Sequence, residues 1–357
     1  MPPQTQTPTV PVQILDGGLG TTLQDHHATT FNSTTTPLWS SHLLISSPPT
    51  LLACQRAFIE AGSDVLLTAT YQVSIEGFAR TKTASHPDGI PRDAIAPYIR
   101  TALTVAADAV RGSNAKIALS LGPYGACMIP GQEYSGAYDA EHDDEESLFR
   151  WHLERLRLIV EAVQHDDGQR LEDKVQYVAF ETVPRLDEVR AVRRAARAAG
   201  LEAMGIPFWV VCVFPVEGQD ALPDGSAVEA VVEAALSGPE PKPWGIGMNC
   251  TKVHRLGRLV KLFGEGVEKV LGKEGARAKP ALVLYPDGTQ GEVYNTTTQV
   301  WEKKVEGPGA ADSRPWEVQL AEVVNDARAG GHFSSILAGG CCKASHHDIA
   351  KLRQHFQ

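Results

Sequence analysis

Along this chain, short apolar runs recur with helix-period segments between them. Val10 to Leu15 is the first run. Asp64 to Thr70, Ala115 to Ser120, Tyr177 to Phe180, Phe208 to Val213, Trp244 to Met248, Ala281 to Tyr285 and Phe333 to Ala338 follow. Helical patterns occupy the intervals. One opens on Pro48-Pro49, places Leu51, Leu52, Cys54, Phe58 and Ile59 on one face, and closes at Ala61-Gly62. Others run from Ile95 to Val110, Asp143 to Gln164, Leu186 to Ala199, toward Leu236, from Arg255 to Phe263 and from Glu317 to Ala327. Strand-length runs alternating with helical patterns predict a parallel α/β architecture. Eight such runs over this length favour a closed barrel over an open doubly wound sheet. The expected fold is therefore a single-domain (β/α)8 TIM-type barrel over residues 10–357. A flexible, proline-rich segment, 1–9, is expected to precede it. Polar or glycine-rich loops are expected at 130–138, 214–223 and 264–279.

In such a barrel the chemistry gathers at the C-terminal ends of the strands. Asp16, Tyr71, Tyr124, Glu181, Cys250, Cys341 and Cys342 all fall there. Gly339-Gly340-Cys341-Cys342 ends the last strand, and Asn249-Cys250 ends the sixth. Three thiolates converging at one rim would make a soft site suited to zinc, with room for one more ligand. Other readings stand beside this one. Cysteine is often a small buried hydrophobe, and the neighbouring pair permits a disulfide of poor geometry. The C-x2-C framework of common zinc sites is absent. Asp16-Gly17-Gly18-Leu19-Gly20 reads as strand, glycine turn and helix start, where backbone N–H groups are free to hold an anion. It is neither GxGxxG nor a P-loop. Asp16 itself is either a helix N-cap or a ligand-binding carboxylate. The tyrosines of the 130–138 loop suggest a wall over a pocket.

Composition narrows the class. The chain has 357 residues, 43% hydrophobic and 21% charged, as expected for a soluble enzyme with a large core. Six cysteines without dense spacing are no secreted disulfide framework. The polar N-terminus lacks the basic and apolar regions of a signal peptide, and no apolar run reaches the roughly 18 residues of a membrane span. A cytoplasmic location is the expectation. A net charge of −10 argues against a nucleic-acid surface.

Taken together the motifs resemble the homocysteine S-methyltransferase family. Asp16-Gly17-Gly18-Leu19-Gly20-Thr21, Thr70-Tyr71-Gln72, Gly122-Pro123-Tyr124-Gly125-Ala126, Glu133-Tyr134-Ser135-Gly136, Glu181-Thr182-Val183-Pro184, Asn249-Cys250-Thr251, Tyr285-Pro286 and Gly339-Gly340-Cys341-Cys342 appear in that family's order, from about Ile14 to Leu352. The resemblance implies a zinc-dependent barrel with one Zn2+ per chain, held by Cys250, Cys341 and Cys342. It implies that Asp16 and Glu181 hold the amino group of homocysteine and that the Gly17-Gly18 backbone receives its carboxylate. Tyr71 matches a pocket residue. Lys343-Ala344-Ser345-His346 departs from the arginine that follows the cysteine pair in many members. Cobalamin-binding domains like those of large methionine synthases are not expected within these 357 residues. His332, His346 and His347 read as surface or supporting residues.

The chemistry follows from the thiol. A thiol with pKa near 8.5 is mostly protonated at neutral pH, and its thiolate is the nucleophile. The implied reaction transfers methyl from a sulfonium donor, S-methylmethionine or S-adenosylmethionine, to zinc-bound homocysteine, giving methionine. Tyr71, Tyr124 or Tyr134 are candidates to face the sulfonium by cation–π attraction. The alternatives are betaine as donor, selenocysteine as acceptor, or a zinc- or thiol-binding barrel without turnover. The expected partners are these small molecules, with no nucleic acid and no membrane. A monomer or small homo-oligomer is expected.

Overall fold

The computed structural model describes residues 10–164, 168–272, 279–289, 292–295, 300–303 and 314–356. The elements, in chain order, are β1 (Val12–Ile14), α1 (Leu19–His26), α2 (Leu43–Ser46), α3 (Pro48–Glu60), β2 (Val65–Leu67), α4 (Ile75–Arg80), α5 (Ala96–Val110) and β3 (Lys116–Leu121). They continue with α6 (Glu145–Gln164), β4 (Tyr177–Val183), α7 (Leu186–Ala198), β5 (Phe208–Cys212), α8 (Val228–Leu236), β6 (Gly245–Lys252) and α9 (Leu256–Leu271). Last come β7 (Ala281–Asp287), β8 (Glu292–Asn295), β9 (Val300–Lys303), α10 (Trp316–Gly330), β10 (Ile336–Ala338) and α11 (His346–Gln354).

Eight strands pair in parallel in the order β1-β10-β7-β6-β5-β4-β3-β2. A bridge between Leu15 and Val65 brings the two ends of that order together. This is the (β/α)8 barrel the alternating pattern predicts, in one domain. Parallel strands covered on both faces read as continuous apolar runs, which is why the pattern was so legible.

The two-residue period of a strand then sorts the side chains. Leu15, Val65, Ala118, Tyr177, Ala179, Trp209, Val211, Val283, Tyr285 and Leu337 pack together inside the barrel. Their neighbours Ile14, Leu66, Ile117, Leu119, Val178, Phe180, Phe208, Val210 and Leu284 pack outward against the helices. Continuing the inward parity to the rim places Ser120, Glu181, Asn249 and Tyr285 over the barrel mouth. The sequence thus fixes which side chains can meet there.

Three expectations need correction or qualification. The run from Gly264 is not a loop: α9 continues to Leu271. A Cβ at Gly264 would come within 2.7 Å of the His332 ring, and one at Gly266 within 3.1 Å of Val232. These glycines are close-packing positions on a helix, not breakers. Residues 273–278, the rest of that expected loop, lie outside the described residues, as does the segment 1–9. Residues 214–223 do form an irregular connection, and Arg255 gathers it by donating to the carbonyls of Phe214 and Gln219. The short helices α2, α4 and α11 and the antiparallel pair β8–β9 escaped the periodicity.

Candidate active site at the barrel mouth

A cavity of about 1300 Å³, counted with its open mouth, sits at the C-terminal ends of the strands. Asp16, Tyr71, Glu181, Cys250, Cys341 and Cys342 all line it, with Gly17 and Gly18 beside them. Met128 to Tyr134 forms one wall, and the stretch from Phe31 to Ser40 another. Of the three tyrosines proposed for a cation, Tyr71 and Tyr134 line the cavity but Tyr124 does not. Tyr124 instead stacks on His142 at 4.1 Å, packs edge-on to Tyr138 and Trp151, and donates its hydroxyl to Asp139.

The three thiols meet. The sulfurs of Cys250, Cys341 and Cys342 lie within 4.8 Å of one another. Among the described residues they are the one group of three or more metal-ligating side chains this close. Cys250 and Cys341 are joined as a disulfide, with Cα atoms 5.5 Å apart, while Cys342 is free. The bond is therefore not the neighbouring pair that the sequence offered. Cys342 is pushed up to about 12 by burial, with the charges of Asp287 and Glu133 adding to the effect. A buried thiol among carboxylates does not ionise alone, and a bound divalent cation inverts that preference. Three cysteine sulfurs with space beside them form a donor set suited to zinc.

The backbone that presents Cys250 is strained in a specific way. Cys250 (φ 47°) and Thr182 (φ 58°) both adopt the left-handed region without being glycine. Such residues cost of order 1–3 kcal/mol and concentrate at functional sites. Asn249, fully buried, holds the two bends together. Its Oδ1 accepts from the Thr182 N–H at 2.8 Å, and its Nδ2 donates to Thr182 Oγ1 at 2.8 Å and to Cys250 Sγ at 3.4 Å. Sequence reading quoted Asn249 in a motif and gave it no task. The signal was a polar residue at an inward position of an apolar strand.

The carboxylates are buried and incompletely satisfied. Asp16 is 2% exposed; its Oδ2 accepts from the Leu67 N–H at 2.9 Å, and its Oδ1 is sealed without a partner. Burial raises its pKa, and the charge of Glu181 raises it further. Glu181 is 5% exposed, with Oε1 sealed and unpartnered. Burial lifts it to about 7, against hydrogen bonds from Ser120 and Tyr285. The N-cap reading of Asp16 falls, because α1 starts after Gly18 with no side-chain cap. Glu133 is a third acid on the wall, half-buried, with Oε2 sealed and unpartnered, and lifted to about 7 by burial. Among the described residues, no Lys, Arg or His lines the cavity.

Gly17 and Gly18 have a packing reason to be glycine. A Cβ at either would lie 2.3 Å from a carbonyl oxygen, of Ala344 or Cys341 respectively. Of the Gly17-Gly18 backbone expected to receive the carboxylate, the Gly18 N–H donates to Ala344 O at 2.9 Å. The uncapped first amides of α1, at Leu19 and Gly20, remain at the cavity.

Two buried supports lie behind the site. Arg155, 3% exposed, donates to the carbonyls of Gly122 (2.7 Å), Thr70 (3.0 Å) and Tyr71 (2.5 Å). Glu188, fully buried, accepts from the Tyr124 N–H (2.8 Å) and the Tyr138 hydroxyl (2.6 Å) and pairs with His152 Nε2 (2.9 Å). Neither was singled out from sequence. Their signal was a charge within the apolar stripe of α6 and of α7.

The family model for homocysteine S-methyltransferase matches residues 13–356. Homocysteine S-methyltransferase 4 of Zea mays is 29% identical over 93% of this chain and 85% of its own length. Homocysteine S-methyltransferase YbgG of Bacillus subtilis is 24% identical over 96% and 94%. Among solved structures, the homocysteine methyltransferase MmuM of Escherichia coli in its metallated form superposes with a TM-score of 0.67, at 23% identity over 96% of each chain, which speaks for the fold. With its match running almost end to end, the chain belongs to the homocysteine S-methyltransferase family.

Proposed function

We propose that the chain methylates homocysteine to methionine, using a sulfonium donor and a zinc ion held by Cys250, Cys341 and Cys342. Membership of the family makes it a methyltransferase. The observation that carries the finer reading is the content of one cavity: three sulfurs within 4.8 Å, two buried carboxylates with unpartnered oxygens, and no cationic side chain among the described residues. The donor set fits zinc, and MmuM of Escherichia coli is known in a metallated form. Zinc at three thiolates would supply the positive charge that lowers the pKa of an incoming thiol. That ligand set is complete only when the Cys250–Cys341 bond is reduced.

The chain's own residues do the rest. Asp16 Oδ1 and Glu181 Oε1 accept the two hydrogen bonds that orient the ammonium of homocysteine, and they balance its charge. The first amides of α1 face the amino-acid carboxylate, where the helix dipole favours an anion. Asn249 fixes the bend that aims Cys250. Tyr71 and Tyr134, both on the cavity wall, are the rings that attract the cationic donor. The homocysteine sulfur attacks the donor methyl in line. A carbon–sulfur bond forms, and the donor's carbon–sulfur bond breaks with its electron pair passing to the sulfonium sulfur, which leaves as a neutral thioether. The thiol proton is released to solvent as the thiolate forms.

The test is methionine formation by reduced, zinc-loaded protein, offered S-methylmethionine, S-adenosylmethionine and betaine in parallel. Turnover with a sulfonium is the expected result. Turnover with betaine alone would overturn the donor class and leave the acceptor site standing. Bound zinc with no methionine from any donor would overturn the acceptor reading.

A further inference from the structure

Outside the cavity the molecule gathers a second set of metal-ligating side chains, and they are histidines. His142, His152 and His254 each sit against a carboxylate, of Asp139, Glu188 and Glu217 respectively. Three others sit against one another. His26 closes α1, and His346 and His347 open α11. The His26 ring centre lies 5.2 Å from that of His346 and 5.5 Å from that of His347, both edge-on. The His346 and His347 rings are 4.0 Å apart.

Two imidazoles on one tetrahedral zinc ion, each bonded at about 2.0–2.1 Å, hold their ring centres about 5 Å apart. The two His26 contacts already have that spacing. Nδ1 of His346 is sealed from solvent and has no hydrogen-bond partner in the protein. A buried polar atom left so calls for an occupant that satisfies it. Burial, then the charges of His347, His26 and His27, hold the His346 ring below its ordinary pKa against the opposing charge of Asp348. At neutral pH it is therefore the neutral donor that a metal needs. The nitrogens do not converge as tightly as the sulfurs, which are the one group of three within 4.8 Å among the described residues. His26 and His347 are exposed, so their rings can turn about the side-chain torsions to meet an ion.

We propose that His26, His346 and His347 form a second metal site, for a borderline divalent ion such as Zn2+, that fastens the end of α1 to the start of α11. The site does not depend on the methyl-transfer reading. Three neutral imidazoles bring no charge to the ion, whereas three thiolates bring one each. The sulfur cluster therefore fills first, and the histidines take the second equivalent. An ion held there braces the seam behind the glycine turn. Phe58 packs edge-on to His346, and a Cβ at Gly17 would lie 2.8 Å from the Phe58 ring.

The experiment titrates reduced, metal-free protein with Zn2+ by calorimetry, comparing wild type with His26→Gln, His347→Gln and the double variant. Both positions are exposed, so the substitutions spare the core. Wild type is expected to take two equivalents, the second more weakly than the first. Each single variant should weaken the second equivalent about tenfold or more, and the double variant should take one equivalent fewer than wild type. Lowering the pH from 7.5 to 6.0 should raise the second Kd about tenfold or more, because protons compete for the imidazole nitrogens. Excess Mg2+ should not displace the ion, since it favours oxygen donors. A double variant with the stoichiometry and affinities of wild type, or a second equivalent indifferent to pH, would overturn the site. Wild type taking a single equivalent that the double variant loses would keep the histidine site and overturn the sulfur cluster as the place of zinc.

Discussion

Glu181 occupies an inward position at the end of β4, where burial has removed water from one oxygen and left no protein donor in its place. Lifted to about 7, its carboxyl is partly protonated near neutrality. An ammonium ligand needs it ionised, so binding must expel that proton. The groups facing it act together: Asp16 is also raised and also needs to ionise, the Ser120 and Tyr285 hydroxyls favour the anion, and the distant charge of Arg155 favours it slightly. The sign is therefore fixed. Affinity for the amino-acid head group falls as pH drops below about 7, approaching tenfold per unit for one titrating group. Methionine is the suitable probe because it carries the head group without a titrating thiol. Calorimetry from pH 8 to pH 6 should show the Kd rising, with proton release on binding that changes the enthalpy between buffers. Glu181→Gln should flatten the profile, and a wild-type Kd indifferent to pH would return Glu181 to a structural role.

At the scale of elements, the site depends on helices that never touch the cavity. Arg155 of α6 ties the carbonyls after β2 to the turn after β3, across 84 and 33 residues of chain. Arg155→Met keeps much of the apolar stem and removes every donor. Each buried carbonyl left unsatisfied costs about 1–3 kcal/mol, so a loss of about 3 kcal/mol or more is expected in urea unfolding. Arg155→Lys should lose less. Because Tyr71 hangs on one of these bonds, the donor KM should rise as well, whereas a purely global effect would lower stability alone. These ties also mark where sequence reading stops. Strand parity and the glycine-cysteine ends located Asp16, Glu181 and the three cysteines, since a parallel barrel sends every strand end to one rim. Nothing local announced that Arg155 reaches Tyr71, that Glu188 gathers Tyr124 and Tyr138, or that Cys250 rather than Cys342 pairs with Cys341. Each is a contact between residues far apart in the chain or a choice among neighbours. The glycines of α9 misled for the same reason, because a breaker and a close contact look alike until the facing residue is known.

Across the whole molecule, the sulfur cluster links strands that do not pair with each other. Cys250 lies on β6 and the Cys341-Cys342 turn follows β10, with β7 between them in the sheet. The same turn packs on the first glycines, with Gly18 N–H on Ala344 O and Lys343 N–H on Thr21 Oγ1 at 2.8 Å. That glycine turn leaves β1 where the barrel closes onto β2 through the Leu15–Val65 bridge. An ion held by the three sulfurs would therefore brace the barrel from β6 to its closing seam, besides serving chemistry. Any ligand bound by the folded state alone stabilises it, by about 4 kcal/mol when present at a thousand times its Kd. Reduced protein should then unfold several degrees higher with zinc than after chelation. Protein oxidised at Cys250–Cys341 should show little response, because two of the three ligands are occupied with each other. Cys342→Ser offers the complementary case, reduced at the other two positions and still short of a ligand. Zinc raising the midpoint of the oxidised protein or of Cys342→Ser as much as that of reduced wild type would place the metal elsewhere.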